Sequence, residues 1–162
     1  MKRAAGFTLI ELVIVIVILG ILGAVAAPRF INLQDDAYAA NINGLKSSIQ
    51  SAMTLGNTKA ILEGKDQGNT VQDVTIDGDT VKFIYGFPTA NTNGIVEMLQ
   101  DLDVAASGSV STQAFTAIGG ADAAGNELTI RPSARDGVAC EVVYKAATSS
   151  SAATVSSNTS GC

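Results

Sequence analysis

The sequence holds no histidine and no tryptophan, and only 3 prolines and 2 cysteines among its 162 residues. Without histidine, the side chain that most often serves as general base near neutral pH is missing. No Ser/His/Asp, Cys/His or paired-carboxylate arrangement stands out either, so the chain reads as a non-enzyme with no cofactor. Basic residues are also scarce, 10 Lys and Arg against 15 Asp and Glu, for a net charge of -5. An acidic chain is not a general nucleic-acid binder. Of charge within long apolar runs there is almost none, because the one such run carries a single ionisable residue, Glu11.

That run extends from Phe7 to Ala27 in Val, Ile, Leu, Ala and Gly, long enough to cross a bilayer as one helix. A carboxylate at membrane depth costs about 2.5–3.5 kcal/mol or more, so Glu11 needs a partner and a task. Lys2 and Arg3 form a short basic leader that ends at Gly6 and would stay cytoplasmic, with everything after the helix outside. Three readings compete. One is a plain signal anchor. Another is an ordinary secretory signal cut at Ala24-Val25-Ala26, before Ala27, although the apolar run exceeds the usual length of such signals and a carboxylate inside one would be odd. The third is a cut between Gly6 and Phe7 that keeps the helix and leaves Glu11 as the fifth residue of the mature chain. That cut removes Lys2 and Arg3, leaving 8 basic against 15 acidic side chains, or -7.

The helical pattern continues past Pro28, which would end or kink it. Tyr38, Ile42, Leu45, Ile49 and Met53 mark one helical face, with Asp35, Asp36, Asn41, Lys46, Ser47 and Gln50 on the other. A helix from about Phe7 to about Leu62, kinked near Pro28, is expected; at 1.5 Å per residue it is roughly 80 Å long, so its outer half must pack outside a membrane. Gly64 and the polar run Lys65–Asn69 end it. The remainder reads as β: Val74–Ile76, a turn at Asp77-Gly78-Asp79, then one strand over Thr80–Phe87. A short helix is expected around Gly94–Leu102, an undefined stretch over Ala105–Gly125, and strands at Leu128–Ile130 and Val138–Tyr144. The Ser/Thr/Ala-rich tail Thr148–Gly161 would be disordered by composition alone. Cys140 and Cys162 form an even pair, which in an exported domain suggests one disulfide, the alternative being two buried thiols. The architecture expected is α+β: a long helix whose outer half packs on an antiparallel sheet of about four strands.

The basic leader, Gly6-Phe7, Glu11, Pro28, the long helix and the Cys-bounded C-terminal segment together resemble the type IVa pilins over the whole length. The resemblance implies four segments: leader 1–6, membrane and assembly helix 7–28, amphipathic helix half 29–62, and a β-rich head 63–162. It implies a prepilin peptidase that cuts after Gly6 and N-methylates Phe7, and an assembly role for Glu11 against the Phe7 amine of a neighbouring copy. It also implies loosening of the helix around Gly20, Gly23 and Pro28, and a disulfide between Cys140 and Cys162. The implied partners are copies of the chain itself, the peptidase, the inner membrane and the assembly machinery. The implied location is the inner membrane and then a pilus on the surface of a Gram-negative bacterium. More narrowly, Ala27-Pro28-Arg29-Phe30-Ile31-Asn32-Leu33-Gln34-Asp35-Asp36-Ala37 and Asn43-Gly44-Leu45-Lys46 resemble the mannose-sensitive haemagglutinin pilins of marine gammaproteobacteria. That implies surface attachment, biofilm formation and surface glycans as ligands.

Weaker signals have bland accounts. Asp77-Gly78-Asp79 is explained by a turn without a metal, and Glu97, Asp101 and Asp103 by a solvated helix face. Gly119-Gly120 lacks the context of a phosphate loop. Lys59, Lys65, Lys82, Arg131, Arg135 and Lys145 read as scattered solubilising charge, and no nucleic-acid partner is expected. The leading reading is a major pilin. The others are a minor pilin or type II secretion pseudopilin, and a monomeric periplasmic binding module with an ordinary signal peptide.

Overall fold

The structure is a computed structural model. It describes residues 7–99, 104–106, 114–135 and 137–162, with 27–32 and 104–106 described by backbone alone. The leader with Gly6, and Asp101 and Asp103, lie outside the described residues.

One helix, α1 (Leu9–Leu62), runs for 54 residues. The polypeptide divides into two compact units, Met1–Ala37 and Tyr38–Cys162. In the first, every described side chain from Phe7 to Ala26 is exposed, and the window Leu9–Ala26 is apolar and long enough to cross a membrane. The sequence expectation for the extent of α1 holds to within two residues at its start. Helical backbone passes through Gly20, Gly23 and Pro28 without interruption.

The second unit contains two sheets. The strands are β1 (Gln72–Ile76), β2 (Asp79–Ile84), β3 (Phe87–Pro88), β4 (Val104–Ala106), β5 (Phe115–Gly119), β6 (Glu127–Pro132), β7 (Glu141–Lys145) and β8 (Thr154–Asn158). They form a three-stranded sheet β1-β2-β3 and a five-stranded sheet β4-β5-β6-β7-β8, antiparallel throughout except for the parallel pair β4–β5. The α+β class is therefore as expected, but one sheet of about four strands is corrected to two sheets.

The reasons lie in particular residues. Asp77 and Gly78, with φ of 51° and 100°, form the two-residue turn between β1 and β2 that Asp-Gly favours. The single strand expected over Thr80–Phe87 is broken by a second such turn, Tyr85 and Gly86 at φ 50° and 74°, which folds β3 back so that Ile84 pairs with Phe87. A Cβ at Gly86 would lie 2.9 Å from the backbone of Asp66, so both the positive φ and the close approach require glycine there. Of the helix expected at Gly94–Leu102, residues 100–102 lie outside the described residues; the described part holds a five-residue π-type turn, Thr92–Val96. Gly94 breaks the helical backbone inside it, and its residues fold onto Thr89, whose carbonyl accepts the Ile95 N–H at 3.0 Å. The tail, disordered by composition, supplies β8 as a fifth strand.

The core of this unit joins the amphipathic part of α1 to both sheets. Ile42, Leu45, Ile49 and Ala52 are buried with Ile84, Ile95, Leu128, Ile130, Val142 and Tyr144. Ala60 lies in a second cluster with Val74, Val81 and Phe83. Tyr38 and Met53 pack at the margin of the first cluster, as the periodic pattern places them. Gly56 lets the helix approach closely, since a Cβ there would sit 2.9 Å from Met98 Sδ and from Phe83 Cζ.

Candidate functional site

The first turn of α1 sets the geometry of the Glu11 carboxylate. Thr8 precedes the helix, and its carbonyl accepts the Leu12 N–H at 3.3 Å. Its backbone N–H donates to Glu11 Oε2 at 2.8 Å and its hydroxyl donates to the same oxygen at 2.7 Å. Glu11 N–H points back at Thr8 Oγ1 at 3.4 Å. This is a capping box, Thr-x-x-Glu, in which cap and carboxylate satisfy each other's orphan groups at a helix start. The sequence reading took Glu11 as a charge awaiting an outside partner. Thr8-Leu9-Ile10-Glu11 ahead of an apolar run is a legible signature of this local bond, and it was missed. A negative charge here also complements the positive end of the helix dipole.

Around this turn none of the described residues is buried. Phe7 is 90% exposed, and the large apolar residues that follow it, up to Val25, are between 42% and 80% exposed. So much unburied apolar surface belongs in lipid or against other helices. A Cβ at Gly20 or Gly23 would meet nothing within 4 Å. Each glycine costs about 0.8–1 kcal/mol in a helix relative to alanine, and among the described residues none approaches closely enough to require it.

At the other end, Cys140 and Cys162 are bonded, their Cα atoms 4.7 Å apart. Both are buried, Cys140 fully. The bridge encloses β7, β8 and the hydroxyl-rich turn between them, where Thr148 Oγ1 accepts the Ser150 and Ser151 N–H groups.

The two sheets meet in a polar clamp. Thr89, wholly buried, donates its hydroxyl to Asp122 Oδ1 at 2.9 Å, and Asn91 Nδ2 donates to the same oxygen. Ala90 bridges Ala121 beside it, and Gly120 at φ 84° lies against the Ala90 carbonyl, where a Cβ would collide. Tyr144 O–H donates to the Pro88 carbonyl at 2.7 Å, a second link between sheets, and burial pushes its phenol pKa up.

Of the cations that sequence alone left scattered, Lys59, Lys65, Lys82, Arg131 and Lys145 have acidic neighbours. Lys145 and Glu127 face each other across β6–β7 at 2.9 Å, and Lys82 and Asp73 across β1–β2 at 2.9 Å. Arg131 meets Glu141 at 2.6 Å; Lys65 and Lys59 flank Glu63 at 2.9 and 3.6 Å. The hydrogen bond from Lys65 holds the Glu63 carboxyl below the usual carboxylate range, and that from Lys82 to Asp73 raises the lysine. Arg135 stacks over the Tyr38 ring at 4.7 Å. Asp77 lies in the tight turn and Asp79 opens β2, and the described residues contain no group of three or more His, Cys, Asp or Glu side chains able to hold a metal ion. Beside Tyr38 lies an open cleft of about 510 Å³, lined by Tyr38, Asn41, Phe115, Pro132 and Ser133 among others.

Comparison with known proteins gives three results. The model of the prokaryotic N-terminal methylation motif matches residues 1–27. The chain is 52% identical over 58 residues to the type IV narrow pilus major component PilA5 of Thermus thermophilus, a match that covers 36% of this chain and 50% of that protein. It is 44% identical over 66 residues to two fimbrial proteins of Pseudomonas aeruginosa, covering 41% of this chain and 40% of each of them. The chain thus spans half or less of the length of these curated relatives. No solved structure matches it.

Proposed function

We propose that this chain is a type IV pilin, the structural and non-catalytic subunit of an extracellular pilus. In this reading a prepilin peptidase cuts between Gly6 and Phe7 and N-methylates Phe7. Residues 7–28 then anchor the subunit in the inner membrane, 29–62 carry the head, and 63–162 complete it. Copies leave the membrane with the help of an assembly machinery and pack through their helices into a helical homopolymer on the surface of a Gram-negative cell.

The observation that carries this reading is the helix Leu9–Ala26, fully exposed, with one carboxylate in its first turn and a methylation motif across it. An apolar rod of that length is stable in lipid or in a bundle of its own kind, and assembly exchanges one for the other. Glu11 lies close in sequence to the amine that the cut would create on Phe7. Opposite charges attract strongly in an apolar bundle and an unpaired one is heavily penalised, so a neighbour's amine on Glu11 would set the axial register. Gly20, Gly23 and Pro28 are the positions where the helix would loosen on packing, because glycine is conformationally permissive and proline removes one backbone hydrogen bond.

The finer assignment is to the mannose-sensitive haemagglutinin type, and it rests on the residues from Ala27 to Lys46 named above. It adds surface attachment, biofilm formation and surface glycans as ligands. The cleft beside Tyr38 and Phe115, with aromatic faces and the polar groups of Asn41 and Ser133, is the surface this reading assigns to glycan contact.

The test is the mass of the native mature protein together with the content of sheared surface fibres. The reading expects a chain beginning at N-methylated Phe7 that makes up the bulk of the fibre. Trace amounts in fibres point to a minor pilin, and a chain beginning at Ala27 removes the assembly helix and the reading with it. Glu11→Val leaves membrane insertion intact in this account and abolishes most fibre; abundant fibre from that variant alone refutes the register role.

A further inference from the structure

The carboxylate of Glu11 is engaged within its own chain, and through one oxygen only. Thr8 directs both its backbone N–H and its hydroxyl to Oε2, and among the described residues no hydrogen bond reaches Oε1. Two bonds from one residue, itself fixed by the Leu12 N–H on its carbonyl, hold a side chain that would otherwise rotate about three bonds. The two oxygens of a carboxylate diverge, so fixing one on the cap turns the other away from it.

From this we infer that Thr8 is a positioning residue for assembly. It holds Glu11 so that Oε1 receives the Phe7 amine of an incoming copy while Oε2 keeps the helix capped. The inference rests on the pilin reading above. Its physical content is that binding the amine breaks no existing bond and orders no free side chain, since a carboxylate has lone-pair sites for about four donors and two are used. The cap is made by a backbone N–H and a side chain downstream of the Gly6–Phe7 bond, so it is the same before and after the cut. A helix cap normally favours the capped form about fivefold over an uncapped one, and the orientation of Glu11 should be biased to the same degree.

The test uses full-length chains co-expressed with wild type, with each variant's share of sheared fibres read by mass spectrometry and divided by its share of the cleaved membrane pool. That division removes any effect of position 8 on the peptidase. Thr8→Val, which keeps shape and loses the hydroxyl, is expected to enter fibres about fivefold less well. Thr8→Ser should restore entry, and Thr8→Val placed on Glu11→Gln should add no further loss, because the orientable charge is already gone. Entry of Thr8→Val at the wild-type level overturns the inference. So does failure of the serine, or an equal further loss on Glu11→Gln, which would mark a plain helix-stability effect. Absence of wild-type chains from fibres refutes the pilin reading itself. Amide exchange of the mature chain in micelles then decides the cap separately: faster exchange at positions 8 and 11 in Thr8→Val than in wild type supports it, and unchanged exchange refutes it.

Discussion

Removing the bridge with Cys140→Ala and Cys162→Ala should free β8 before anything else in the head. The two cysteines are 22 residues apart, and the chain-entropy estimate for a closed loop of that length is about 3 kcal/mol. The strand has little else. None of its five residues is buried, and only Val155, half-buried, reaches the core. Full burial of a valine contributes about 1.5–3 kcal/mol, and Val155 supplies only part of that. The ladder to β7 covers one edge of β8, and among the described residues no strand pairs with the other. Loss of about 3 kcal/mol corresponds to roughly a hundredfold rise in the opening equilibrium. Amide hydrogen exchange of the mature chain in micelles, read at Thr154–Asn158, should accelerate by about that factor, with the deepest α1 amides around Ile42–Ile49 changing less. Unchanged exchange at β8 would refute the reasoning and show that the ladder alone holds the strand.

Gly120→Ala forces a side chain into the positive-φ region and against the Ala90 carbonyl, and should cost about 2 kcal/mol or more in urea unfolding; Gly78→Ala, strained but in open space, should cost about 1 kcal/mol. Equal losses would show that the contact with Ala90 adds nothing. Thr89→Val removes the buried hydroxyl that donates to Asp122, which is exposed and keeps its bond from Asn91, and should cost about 0.5–1.5 kcal/mol by the same measurement; a neutral result would remove the Thr89 hydroxyl from the account of how the sheets are joined. The folded-state pKa values of Tyr144, pushed up by burial, and Lys82, raised by Asp73, lie above their unfolded values. The stability they represent is complete below about pH 10 and is lost as pH rises beyond it. Urea midpoints should therefore fall above pH 10, and less steeply for Tyr144→Phe; parallel curves would exclude the tyrosine. Glu63 acts in the opposite sense, its lowered carboxyl giving a contribution present above about pH 4.3 and lost as pH falls, so Glu63→Gln should flatten the acid limb of the same plot.

The long helix was legible because a 3.6-residue period over Tyr38–Met53 joined to an unbroken apolar run leaves few alternatives. The first hairpin was legible because Asp77-Gly78 is a strong turn signal. Tyr85-Gly86 makes the same turn, but tyrosine is no turn former; the bend is imposed by the close approach of Gly86 to Asp66, a contact that alternating apolar residues cannot reveal. Ile95 and Leu99 are buried, yet the described part of the helix expected around them is one turn, because the bond from Ile95 N–H to the Thr89 carbonyl overrides the local pattern. The strand at Thr154–Asn158 has the composition of a linker and owes its order to its neighbour β7 and to a covalent bond. At the N-terminus the significance of Glu11 was visible from its setting, but the setting concealed that Thr8 already holds it.

The disulfide also fixes how the molecule responds to tension. A pull that enters the chain at Cys162 passes straight to Cys140 and into the start of β7, so residues 141–161 carry no load while the bridge is intact. At 3.3–3.6 Å per extended residue that shields about 70 Å of contour length from being drawn out. In the pilus proposed above, that length would stay in reserve under shear for as long as the bridge is oxidised, and reduction of the bridge would release it.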